Sequence, residues 1–223
     1  MDTSGDGFLN VILYLVVLAL FGQVAVRLLP PRRPSPPRRP FPLVATVLTI
    51  AIGVPSLLQF AVPVVSEALR RDPGLTLQHG QWWRVLTSVM AQDGGIAGAV
   101  FNLVVVAGVT VLAEWIWGRW RTAVLFLLPS IVLNLLAIAW NQPGGGSSFA
   151  SDGLLMSVCG LGLVVSGRAV VRVCAIAAMA IGLVLVALND AHGVAILLGA
   201  ALGASFAPFR ATAPVRSAAP GSR

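Results

Sequence analysis

The residues able to do chemistry in this chain are few. The stretch GGGSSFASDG places Ser147, Ser148, Ser151 and Asp152 just after three glycines, and Asn189, Asp190 and His192 follow about forty residues later. Asn102 is a third polar position, set in an otherwise apolar run. A serine with a histidine to take its proton is the minimal equipment for acyl transfer. A serine at a helix N-terminus also has unpaired backbone N–H groups beside it, where the helix dipole favours negative charge. Those donors would hold an oxyanion, with Asn102 as an additional side-chain donor. The same residues have a structural reading: serines cap helices, and a histidine at a helix start can be no more than a satisfied polar group. Cys159 and Cys174 lie in apolar runs with no CxxC spacing or Cys/His cluster, so the sequence implies neither a metal nor a disulfide. It contains no phosphate-binding glycine motif following a strand, and no cofactor is expected.

The elements that must position these groups follow from composition. Of 223 residues, 57% are apolar and 10% charged, against about 25% charged in an ordinary soluble domain. Such a chain cannot cover a soluble surface. A membrane-crossing helix needs about 20 apolar residues. Seven stretches are candidates: Phe8–Leu29, Leu43–Val65, Ile96–Trp117, Ala123–Trp140, Phe149–Val165, Val170–Leu188 and Asn189–Phe209. Backbone groups in lipid must be satisfied internally, so the expected fold class is all-α and polytopic. Pro55 and Pro63 are expected to kink the second span.

The net charge of +7 comes entirely from arginine against eight acidic residues. In a soluble chain that would suggest nucleic acid. Here position gives the arginines another meaning, since basic residues collect in cytoplasmic loops. Arg27, Arg32, Arg33, Arg38, Arg39, Arg119, Arg121, Arg168, Arg172, Arg210, Arg216 and Arg223 fall in alternate loops, and only Arg70, Arg71 and Arg84 fall on the other side. The expected topology has the N-terminus outside and the C-terminus in the cytoplasm, and no nucleic-acid partner. Residues 1–29 read as a tail and one additional span, 30–42 as a Pro/Arg-rich cytoplasmic linker that touches anionic lipid, 43–209 as a six-helix membrane domain, and 210–223 as a cytoplasmic tail. On this topology Ser148, His192 and Asn102 share the outer side and are expected to meet in one pocket. Five tryptophans (Trp82, Trp115, Trp117, Trp120 and Trp140) read as an interfacial belt, Glu114 as an ion-pair partner of Arg119 and Arg121, and Asn134 as a bond across helices.

From about Gly80 to Gly203 the chain resembles the rhomboid intramembrane serine proteases. The resemblance is carried by Trp83-Arg84 in the long outer loop, Asn102 in the second core helix, and Glu114, Gly118 and Arg121 after it. It continues in Gly146-Ser147-Ser148 with Ala150 and Gly153, and in Asp190 and His192 followed by Ala195, Gly199 and Gly203. It implies a six-helix bundle in a one-plus-six arrangement, a Ser148 nucleophile with His192 as base, and an oxyanion site at Asn102 and the Ser148 amide. Gly146, Asp190 and Gly199 would be supporting residues, and transmembrane proteins the substrates. Ser151 is the alternative nucleophile, at the expense of both flanking glycines, and Ser147 is the weaker neighbour. Three positions depart from the family pattern. Phe149 stands where a glycine follows the serine, Gly98 where a histidine precedes the asparagine, and Asp152 where an aromatic residue often stands. They motivate a second expectation, a catalytically inactive rhomboid-like protein that binds transmembrane helices. A small transporter has less support, since no inverted repeat is visible.

Overall fold

The computed structural model describes residues 3–29 and 39–209. Most of the expected linker (30–38) and the expected C-terminal tail (210–223) lie outside the described residues. Among the described residues the named elements are all helices. The helices are α1 (Thr3–Leu28), α2 (Leu43–Leu58), α3 (Val64–Leu69), α4 (Pro73–His79), α5 (Arg84–Thr87), α6 (Gly95–Trp117), α7 (Arg119–Ala139), α8 (Ser148–Val165), α9 (Ala169–Ala187) and α10 (Ala191–Phe206). Short 3₁₀ turns cover Ser88–Met90 and Ala207–Phe209.

Five helices are long and apolar enough to cross a membrane: α1 from Leu9, α6, α7, α8 and α9. The chain is therefore a polytopic helical membrane protein. The two other apolar helices, α2 and α10, have 16 residues each, about 24 Å at the helical rise against a hydrocarbon core of about 30 Å. The second expected span does not run to Val65 with two kinks. It stops at Leu58, and Pro63 instead opens a separate short helix, α3. Proline has no N–H to continue a ladder and is favoured at a helix start. The outer loop is likewise built rather than open, since α3, α4 and α5 fold along it. Between α6 and α7 the chain turns on the single residue Gly118, whose φ of 80° lies in the region that favours glycine.

The long helices differ in how much lipid they face. In α8, 67% of the span is buried, against 22–50% in the other four. It is the axis of the molecule, packed by α1, α6, α7, α9 and α10. Lipid is as apolar as leucine, so helices associate here through close packing and not through water exclusion. Small residues supply that closeness. A Cβ added at Gly199 would lie 2.2 Å from the Gly153 carbonyl oxygen, one at Gly203 1.9 Å from that of Ser157, and one at Gly160 2.0 Å from that of Ala200. The backbones of α8 and α10 thus touch along a parallel register. On its other side Gly153 admits Pro129 of α7, whose Cβ would be 2.4 Å from an added methyl group.

Two sequence expectations change in the core. Trp117 is no belt residue: it is 2% exposed and donates from Nε1 to Ser157 Oγ at 3.1 Å. Trp82, Trp120 and Trp140 are exposed. Asn134 makes no bond to another membrane-spanning helix. Its amide donates to Ser130 Oγ within α7, and its Oδ1 accepts from Arg71 in the outer loop. Glu114 does pair with Arg119, at 3.7 Å, and its second oxygen accepts from the Ala45 amide at 2.8 Å, satisfying an unpaired donor at the start of α2. Arg121 instead stacks on Trp120 and donates to the Trp117 carbonyl oxygen.

Gly199→Ala should force α10 off α8 and lower stability by about 1–3 kcal/mol, the usual cost of overpacking. Gly108→Ala, with nothing within 4 Å of the new methyl group, should be neutral or slightly stabilising. Thermal unfolding of the two variants in the same detergent reads the difference.

Candidate active site

The register of α8 and α10 carries through to their N-terminal ends, where Ser148 and His192 meet. Ser148 is the first residue of α8, and its Oγ lies 2.8 Å from His192 Nε2. His192 is the second residue of α10. Its Nδ1 lies 2.7 Å from Asp190 Oδ1. Asp190 also caps α10, with Oδ1 accepting from the His192 amide at 3.0 Å. A carboxylate only accepts, so Nδ1 bears the proton and donates it to Asp190. Nε2 is then left as the acceptor for the Ser148 hydroxyl. Ser148, His192 and Asp190 are thus joined by two consecutive hydrogen bonds.

The serines separate clearly. Ser151 is 2% exposed and returns its hydroxyl to the Ser147 carbonyl oxygen at 3.1 Å within α8. Ser147 is fully buried and its Oγ accepts from Gln92 Nε2 at 3.3 Å. Of the three, only Ser148 faces the imidazole. The first amide of α8 to find an i−4 carbonyl is that of Ser151, on Ser147. The amides of Ser148, Phe149 and Ala150 therefore have no intrahelical acceptor, the arrangement that suits an anion.

The turn into α8 is held from below. Arg71 and Gly144 exchange both backbone bonds, at 2.7 and 3.0 Å. The Gly145 amide donates to Asp93 at 2.7 Å, and that of Gly146 to the Ser88 carbonyl oxygen at 3.0 Å. Gly144, with φ of 143°, and Gly145, where a Cβ would sit 2.7 Å from that of Ala91, are the positions that require glycine. Gly146, the expected supporting residue, has room for a side chain. The Arg71 side chain is 7% exposed and binds Asn134 Oδ1 and the carbonyl oxygens of Gln142 and Pro143. Burial pushes its guanidinium below the ordinary arginine range, and the Asp93 charge opposes that shift. Arg84 ties the outer loop in the same way, donating to the carbonyl oxygens of Glu67 and Arg70 and to Gln81, while Trp83 stays exposed.

A cavity of about 250 Å³ opens beside Ser148 and His192, lined also by Val11, Tyr14, Phe101, Asn102, Val105, Ser151 and Asp152. The three expected polar groups (Asn102, Ser148 and His192) thus share one cavity. Asn102 uses one of its two amide N–H groups on Gln92 Oε1, at 2.8 Å. Gln92 is a residue that sequence reasoning missed. It is 5% exposed, and its side chain also reaches Ser147 and Ser56. The Gly98 position leaves open space. The Phe149 ring lies 4.9 Å from the His192 ring, centroid to centroid.

The larger omission is α1. Its Asn10 Nδ2 donates to Asp190 Oδ2 at 2.9 Å, and its Tyr14 hydroxyl donates to the same oxygen. The Tyr14 ring lies 5.0 Å from that of His192. One signal was available: Tyr14 is the sole tyrosine in the chain, and Asn10 stands one helical turn before it in the otherwise apolar first half of the span. Among the described residues no three His, Cys, Asp or Glu side chains gather as metal ligands. No family model matches the chain, and no curated protein matches it.

Arg71→Met should release the Gln142–Gly144 turn and lower stability by about 1–3 kcal/mol, the cost of leaving buried acceptors unpaired. Thermal unfolding checks it, with Arg70→Met, a half-exposed partner of Asp93 at 3.5 Å, expected to change stability by less than about 1 kcal/mol.

Proposed function

We propose that the chain is an intramembrane serine protease of rhomboid type, cleaving peptide bonds in or near transmembrane segments. The observation that carries this reading is the 2.8 Å contact between Ser148 Oγ and His192 Nε2, with Asp190 behind the imidazole. Ser148 attacks the scissile carbonyl carbon as His192 Nε2 takes its proton. Asp190 stabilises the imidazolium that results. The oxyanion turns to the unpaired amides at the start of α8, and the Asn102 Nδ2–H that is not used on Gln92 can add a donor. His192 returns the proton to the leaving amine, and the C–N bond breaks to leave a Ser148 ester. Water, activated by His192 in the same way, hydrolyses that ester. The residues named require no cofactor for these steps.

The arginine distribution supports the orientation. With the N-terminus outside, Ser148 and His192 lie toward the outer leaflet, where water can reach them, in the plasma membrane of a bacterium. The one-plus-six arrangement draws on the Pro/Arg-rich segment 30–42 that separates α1 from α2, and on α1 packing at the side of α8 and α9. Substrates would be transmembrane proteins, and lipid the surrounding partner. A second reading, an inactive rhomboid-like protein that binds transmembrane helices, draws on Phe149 and Gly98 standing where the rhomboid pattern has a glycine and a histidine.

Labelling in detergent with a fluorophosphonate serine probe separates these readings. Wild type and Ser151→Ala should label, while Ser148→Ala and His192→Ala should not. Absence of label on the wild-type chain, with no cleavage of any helical substrate, sinks the protease reading in favour of the second. Label lost only in Ser151→Ala would move the nucleophile. A reporter fused after Arg223 should read as cytoplasmic.

A further inference from the structure

We propose that Asn10 and Tyr14, on the helix outside the six-helix body, are positioning residues for the Ser148–His192 pair, so that α1 completes the site. The proposal rests on the reading of Ser148 as nucleophile.

The argument turns on Asp190. Its carboxylate receives four donors: the His192 amide and Nδ1 on Oδ1, and Asn10 Nδ2 and the Tyr14 hydroxyl on Oδ2. One oxygen is set by its own helix and the other wholly by α1. Asn10 and Tyr14 are four residues apart and so share a helix face, and that face points at one atom. With both donors in place the carboxylate plane is fixed, and with it the direction in which Nδ1–H must point. The opposite ring nitrogen, Nε2, is thereby aimed at Ser148. The Tyr14 hydroxyl oxygen also stands 3.1 Å from Nδ1, and its ring is inclined at 56° to the imidazole, closing off the rotation that would carry His192 away from Ser148.

A purely structural anchor explains Asn10 less well. Its Oδ1 is buried with no hydrogen-bond partner. A buried acceptor left unpaired costs stability, and rotating the amide would turn that oxygen toward the carboxylate and forfeit the donor. The amide is held in an orientation that suits Asp190 at the expense of its own satisfaction. Tyr14 also lines the cavity, together with Val11, so α1 forms a wall of the space in which a substrate must lie.

The test compares wild type with Tyr14→Phe, which keeps the ring and removes one donor, and with Asn10→Ala. Leu15→Ala, at a lipid-facing position 47% exposed, controls for the packing of α1. Two readouts are taken from each full-length protein in detergent. One is the rate of fluorophosphonate labelling at Ser148. The other is the Nδ1 proton resonance of His192, which is tractable because the chain has two histidines and His79 is exposed. Tyr14→Phe and Asn10→Ala should each slow labelling at least about tenfold and shift the Nδ1 proton, with melting temperatures close to that of Leu15→Ala. Wild-type labelling rate together with an unmoved proton in Tyr14→Phe and Asn10→Ala overturns the proposal while leaving the protease reading intact. An unlabelled wild type whose His192 proton still shifts in the variants upholds the positioning and ends the protease reading. An unlabelled wild type with no shift removes both.

Discussion

The close approach of α8 and α10 is the constraint from which the rest follows. Gly160, Gly199 and Gly203 bring the two backbones so near that added methyl groups would overlap carbonyl oxygens. In lipid there is no water to drive helices together, and dispersion between matched surfaces falls away within a fraction of an ångström. Close contact is therefore both the adhesive and the ruler. It fixes the parallel register, and that register sets the serine at one helix start against the histidine at the other. Ridges of larger side chains would separate the helices and open the 2.8 Å contact.

Electrostatics at this point are concentrated in one carboxylate. Asp190 caps the start of α10, orients an imidazole and accepts two donors from a helix about 180 residues earlier in the chain. A charge placed at this depth is costly unless each lone pair is used. The four donors make its burial tolerable, and each constrains the others. The same economy governs the turn before α8, where Arg71 and three backbone amides hold the chain so that the first amides of the helix stay unpaired. Rings from Phe149 and Tyr14 flank His192 on either side of this network.

Much of the architecture was legible in the residues. Apolar length and low charge dictate membrane helices, because the backbone in lipid has no other way to satisfy its bonds. The glycines and alanine after His192 signalled close packing. Asn102, Ser148 and His192 were recognisable as polar groups on one side of the bilayer, and they do line one cavity. Helix ends were less legible. The second span looked continuous to Val65, and apolar length alone did not tell that Pro63 begins a new helix instead of kinking the old one. Trp117 looked like its neighbours Trp115 and Trp120, but one face of α6 turns inward and carries it into the core.

The choice among three neighbouring serines marks the boundary between the two kinds of information. Sequence determined the element type, the number of apolar segments and the short inventory of groups able to act, since these depend on composition and local pattern. It could not determine which serine faces His192, because rotation of a helix about its axis is set by its neighbours. Nor could it show that the first helix reaches the site. The contact of Asn10 and Tyr14 with Asp190 joins residues from opposite ends of the chain. Long-range pairings of this kind leave no periodicity to read, and they exist only once α1 has docked against α8 and α9.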